Sequence, residues 1–220
     1  MDHTAPAARR ARRTALLVPA LLGAVAVAFL AQRPLHHAGW HGWTGTANGI
    51  VFLTVATLPA AALTVRVLAR RRRAAGAEPG WARRSALAEV GMVYGTVPWV
   101  RMILLPGVDP GGPRRRVSPV PLHDIAEIVA AGPPATAAAQ IVGNLLVFAA
   151  LGFLAPVRFA ALASVWRVLA LGAACSVLVE AAQYGLRLDR VSSVDDVLLN
   201  AGGAALAALA ARRWWRRPAA

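Results

Sequence analysis

The chain has 220 residues, 57% of them hydrophobic and only 15% charged, with a mean hydropathy of +0.52. A soluble domain needs more charge than this to cover its surface. The net charge of +14 rests on arginine alone, for the 24 basic residues include no lysine and gather at the ends of apolar runs. That placement is a membrane-topology signal and argues against nucleic acid as a partner.

Apolar runs of roughly 20 residues, separated by short polar gaps, predict an all-α fold. The expected architecture is a polytopic transmembrane helical bundle of about six spans, or five if one is lost. Strands are not expected, because the runs lack period-2 alternation and are rich in Ala and Leu.

Residues 1–13 read as a basic cytoplasmic tail carrying Arg9, Arg10, Arg12 and Arg13. The apolar stretch after them exceeds a signal-peptide core and lacks a small-x-small cleavage site, so 14–32 reads as a retained first span. His36, His37 and His41 follow in one loop, with a spacing that matches no metal signature; no metal and no cofactor is expected. The second span is predicted at 47–69 and the third at 85–105, completing a transmembrane region over 14–105. Glu89 and Arg101 make the third the least apolar, and Pro98 is expected to kink it.

Residues 106–136 form a Pro- and Gly-rich extracytoplasmic loop, much longer than two antiparallel helices need. Its segment "PVPLHDIAEIVAAGPP" predicts a short amphipathic helix over 124–131, either covering something or lying loose at the surface. Spans four to six are predicted at 137–156, 165–186 and 194–211. A second basic cytoplasmic tail, 212–220, contains "RRWWRRPAA", which reads as an interfacial anchor with Trp214 and Trp215 at the headgroups. Cys175, the single cysteine, lies in an apolar run and reads as a small packing residue. With six spans, 17 of the 24 arginines share a side with the termini, which the positive-inside rule places in the cytoplasm.

Four of the chain's ten acidic residues fall in "LVEAAQYGLRLDRVSSVDDVLLNAGG", residues 178–203. Glu180 and Gln183 share a face of span five; Asp196, Asn200 and Gly203 form a stripe on span six. Asn144, Phe148 and Gly152 make a similar line on span four. The topology brings Asn144, Glu180, Gln183, Arg190, Asp195, Asp196 and Asn200 together as candidate binding residues in the outer leaflet. A charge inside a span typically costs about 2.5–3.5 kcal/mol, which favours a partner for Glu180, and Arg190 is the nearest. Duller readings stand beside these. Ser193 with Asp196 fits a capping box, and both aspartates suit a helix N-terminus. Glu180 can reach up to water, and the asparagines can bond helix to helix. Were the chain an enzyme, Glu180 and Asp196 would be the candidate catalytic acid/base pair. No Ser-His arrangement, metal-ligand cluster or phosphate-cradling loop supports that reading in the sequence.

"GNLLVFAALGFLAP" followed by "VLVEAAQYGLRLDRVSSVDDVLLNAGG" resembles the VanZ-like family of bacterial integral membrane proteins. The family pattern is an Asn-led helix with Phe and Gly-Phe, then Glu-x-x-Gln, an Arg, and Asp-Asp-x-x-x-Asn-x-x-Gly. Asn144, Phe148, Gly152, Phe153, Glu180, Gln183, Arg190, Asp195, Asp196, Asn200 and Gly203 fill those positions. The resemblance makes 137–211 a VanZ-like core; the earlier half matches only in hydrophobic layout. Many members carry Pro two residues after the Phe, where this chain has Ala150, so span four is expected to lack that kink. The family is named for a protein linked to low-level resistance to the glycopeptide teicoplanin. The resemblance therefore implies a multi-pass protein of the cell membrane with a cell-envelope role. Its expected partners are membrane lipids, and a lipid-linked cell-wall precursor or another membrane protein at the polar pocket.

Overall fold

A computed structural model describes residues 46–104, 116–186, 188 and 191–215. The first span, His36, His37, His41, the tail at 1–13, and Arg190 lie outside the described residues. The chain divides into two compact units, Met1–Thr64 and Val65–Ala220.

Helix α1 (Ala47–Ala74) starts in the first unit, where the Thr46 hydroxyl accepts the Gly49 N–H at 3.1 Å, and continues into the second. Val51, Val55 and Leu58 on it are exposed, as expected of a helix in contact with lipid. In the second unit, Glu78 caps α2 (Pro79–Ile103) by accepting from the N–H groups of Gly80 and Trp81. Those two bonds favour the charged form and hold its carboxyl below the usual glutamate range. Pro79 fits the first helical position, where an N–H has no partner anyway.

The remaining elements are β1 (Arg116–Ser118), α3 (His123–Ala131), α4 (Pro134–Val147), α5 (Ala149–Arg158), α6 (Val165–Leu186), β2 (Val191–Ser193) and α7 (Val194–Ala210). A 3-10 turn, Arg212–Trp214, follows. The all-α architecture expected from the hydrophobic pattern is the one observed. Gly49–Ala74, Pro134–Arg158 and Val165–Leu186 are long and apolar enough to cross a membrane. Helix α2 carries Arg83, Arg84, Glu89 and Arg101, and α7 has 17 residues, short of the roughly 20 that cross a hydrocarbon core.

Helix α7 packs against α4, α5 and α6, and α2 packs against α5. Small residues permit the approach, which is how helices associate where lipid competes for apolar contact. A methyl added at Gly203 would lie 2.6 Å from the Leu145 carbonyl carbon, and one at Gly152 would lie 2.6 Å from Ala204 Cα. Around these crossings Val147, Phe148, Val168, Val179, Ala204 and Ala208 form a buried core, with Cys175 against its edge. Trp166 and Leu178, 78% and 70% exposed on α6, point away from it.

Helix α2 continues through Pro98 as one α-helix. Two expectations need correction. Span four is broken at Phe148, between α4 and α5, although Ala150 replaces the proline. The break lies between the two glycine crossings, so the close approach of α7 accompanies it without a local breaker. Strands exist, but only as a three-residue parallel pair: Arg116 opposite Val191, Val117 opposite Ser192 and Ser118 opposite Ser193. They join loops rather than span a membrane, so the patterning of the apolar runs did not bear on them. Trp214 and Trp215 pack against the bundle. Trp214 stacks at 5.5 Å on Phe153, and Trp215 Nε1 donates to the Ala208 carbonyl at 3.1 Å.

Far along α2 from the loop, Glu89 is held between two arginines. Its oxygens accept from Arg72 Nη2 and Arg158 Nε, and Arg72 Nη1 donates to Ser85 Oγ at 2.8 Å. The carboxylate thus ties α1, α2 and α5, and removing it sets two guanidinium groups facing each other. Glu89→Gln is expected to lower thermal stability in detergent by about 2 kcal/mol, an amount scaled down for partial exposure. An unchanged melting temperature would count against the tie.

Candidate ligand-binding cavity

The described part of the long loop, from residue 116 on, is docked, and Asp195 docks it. This side chain is 2% exposed, and its carboxylate points away from its own helix to accept the backbone N–H groups of Leu122, Asp124 and Ile125. Asp124 and Ile125 lie in the first turn of α3, where N–H groups have no intrahelical partner, so one carboxylate caps a helix 70 residues away. Leu122, with φ +65°, sets the left-handed turn into that helix.

Serines complete the joint. Ser193 caps α7 by accepting the Asp195 N–H at 3.1 Å, and its hydroxyl donates to Asp124 Oδ2. Ser118 Oγ donates to Asp124 Oδ1 at 2.8 Å. The Ser193 hydroxyl above all, then Ser118 and His123, outweigh burial and hold the Asp124 carboxyl below the ordinary aspartate value. A depressed folded value means the stabilisation is full above the unfolded value and is lost as pH falls through the folded one. Protease resistance of residues 116–133 is therefore expected to hold down to about pH 5 and to fall below about pH 4. Asp124→Asn should remove most of that pH dependence; a profile unchanged by it would assign the effect elsewhere.

Beneath the docked loop lies a cavity of about 690 Å³. Ser118, His123, Asp124 and Glu127 line it from the loop, Gln140 and Asn144 from α4, and Ser193 and Asp196 from the start of α7. Asn144 Nδ2 donates to Asp196 Oδ1 across it. Ser193 caps α7 as the capping-box pattern expects, and the Asp196 carboxylate accepts from the Asn144 amide. A second, largely apolar groove of about 280 Å³ runs between α2 and α4, over Trp99, Met102, Ile103, Gly143 and Val147. Gln140 and Asn144 line both spaces.

The other sequence candidates are dispersed. Gln183 is buried on α6, and its Nε2 donates to the Ile103 carbonyl at 2.7 Å, satisfying an end group of α2. Asn200 is buried on α7 and donates to Ser176 Oγ at 2.9 Å, joining α7 to α6. Glu180 is half-buried on α6 and lines neither space; its backbone carbonyl accepts from Ser192 Oγ at 3.4 Å. Asn144 and Asp196 are the pair brought into the cavity. Sequence reasoning missed Ser118, His123, Asp124, Glu127 and Gln140 as lining residues. Two signals were available: Gln140 stands one turn before Asn144, and Asp124 and Glu127 are three apart on a short amphipathic helix. The side-chain donors of His123, Asp124 and Glu127 all lie within 4.8 Å of one another, a spacing that one cation could bridge.

Apolar helices long enough to cross a bilayer, packed through small residues, define a helical membrane protein. The chain belongs to the VanZ/LLP1 family, whose model matches residues 92–216, from the middle of α2 to the C-terminal tail and across every residue of the cavity. Comparison with curated proteins and with solved structures gives no match.

Proposed function

We propose that this protein is a multi-pass protein of the bacterial cell membrane, with both termini in the cytoplasm, that binds an amphiphilic envelope component at its outer leaflet. The occupant is an envelope lipid or a lipid-linked cell-wall precursor. One observation carries the reading: a polar cavity and an apolar groove meet at Gln140 and Asn144. An amphiphile can place its head in the first and a chain in the second, matching each part to its surroundings. The enzymatic alternative, with Glu180 and Asp196 as acid/base pair, gains no support from a shared cavity.

Gly143 offers a clean test, because a Cβ added there meets no atom within 4 Å and a longer side chain would project from the groove wall. Gly143→Leu is expected to fold normally and to lose most lipid retained by the wild-type protein, read by native mass spectrometry after mild detergent extraction. Full retention by a folded variant would contradict the proposal. Family membership also suggests teicoplanin tolerance as a phenotype. It should fall with lipid retention in the same variant, and unchanged tolerance would separate the two.

A further inference from the structure

We propose that α3 is an interfacial anchor, its exposed apolar face seated in the lipid leaflet that α4 enters. Leu122, Ala126, Val129 and Ala130 stand four, three and one residues apart, which puts them on a single face of the helix. All four are apolar and exposed, Leu122 at 62% and Val129 at 60%. Another side of the helix is already engaged: Asp124 accepts from Ser118 and Ser193, and Ile125 and Ile128 are partly buried. A helix surrounded by water presents polar residues where α3 presents these four.

The occupant follows from what α3 is joined to. Only Gly132 and Pro133 separate it from Pro134–Arg158, a stretch long and apolar enough to cross a bilayer. Helix α3 also packs against α4, which keeps it close to the point where that span begins. Exposed apolar residues continue on α4 at Val142 and Leu146, so lipid that covers the span is within reach of α3. The sequence adds charge of the matching sign: Arg114, Arg115 and Arg116 immediately precede Val117, a basic run that anionic headgroups attract. Backbone conformation gives an independent pointer. Leu122 has φ +65°, a region that glycine or asparagine enters far more easily than leucine. The turn into α3 needs that conformation but not a leucine, and a lipid surface gives the exposed side chain a use. This placement does not depend on what the cavity binds.

The test uses the full chain in nanodiscs of phosphatidylglycerol and phosphatidylethanolamine, with a nitroxide on Ala126→Cys, Glu127→Cys or Val129→Cys in a Cys175→Ala background. Power saturation with oxygen and with a water-soluble nickel chelate reads the depth of each label. The labels at Ala126 and Val129 are expected about 5–10 Å into the headgroup and acyl boundary, with the one at Glu127 nearer the water. Three labels reached equally by the nickel chelate would overturn the proposal and leave α3 in water. Labels shielded from both probes, with spin–spin broadening, would overturn it in favour of a second copy of this chain. Leu122→Asn combined with Val129→Ser removes the two large apolar groups from the face, and asparagine keeps the left-handed turn. Limited proteolysis in detergent is expected to find residues 116–133 still docked in this variant, while the Ala126 label moves out to water in the nanodisc. A label that stays inserted would show that another part of the chain places it, and would also overturn the proposal.

Discussion

Asp195→Ala is expected to release the loop over residues 116–133 and lower stability by about 4 kcal/mol, because hydrogen bonds to a charged group are worth about 1.5–3 kcal/mol each and three are lost. The carboxylate is the common acceptor for Leu122, Asp124 and Ile125, and nothing else on the described part of α7 reaches those N–H groups. Rewetting of the freed loop offsets part of the sum, which is why the expected loss lies well under three full bonds. Asp195→Asn keeps one acceptor oxygen and should lose about half as much. Thermal unfolding in detergent reads the stability, and limited proteolysis within 116–133 reads the loop. A loop that stays protected in Asp195→Ala would mean that the β1–β2 pairing and the serines hold it unaided.

The second large effect concerns two adjacent glycines that should respond with opposite sign. Gly203→Ala drives a methyl into the Leu145 backbone, which cannot yield as a flexible side chain would. The cost is expected to be about 3 kcal/mol, the upper end for overpacking. At Gly202 an added methyl meets nothing within 4 Å. Gly202→Ala should therefore gain up to about 1 kcal/mol from helix propensity alone. Melting temperatures of the two variants decide the matter. Equal losses would show that glycine is needed there for backbone freedom, and no loss at Gly203 would place α7 farther from α4.

These effects mark what could be read from the sequence. Apolar runs and arginine placement were enough to find the helices, since both follow from what a bilayer demands of any chain. The motif order placed Asn144 and Asp196 on neighbouring helices, and they meet. The direction of Asp195 was not legible: an aspartate in the first turn of a helix serves its own dipole or a distant backbone with the same local sequence. The break at Phe148 belongs to packing against α7, so Ala150 was a poor guide. Gln183 and Asn200 had the composition of site residues, yet each bonds one helix to the next. The loop carried most of the cavity's charge, but only its contact with Asp195 and Ser193 turns "SPVPLHDIAE" into a wall.

The central claim is that the space between α2 and α4 holds the chain of an amphiphile whose head lies under the docked loop. Photocrosslinking in native membranes with a lipid bearing a diazirine near the head end of its chain tests it directly. Adducts are expected on Trp99, Met102, Ala139 and Gly143, and they should be lost in Gly143→Leu. Adducts spread over exposed outward faces such as Trp166 and Leu178, unchanged by Gly143→Leu, would contradict the account.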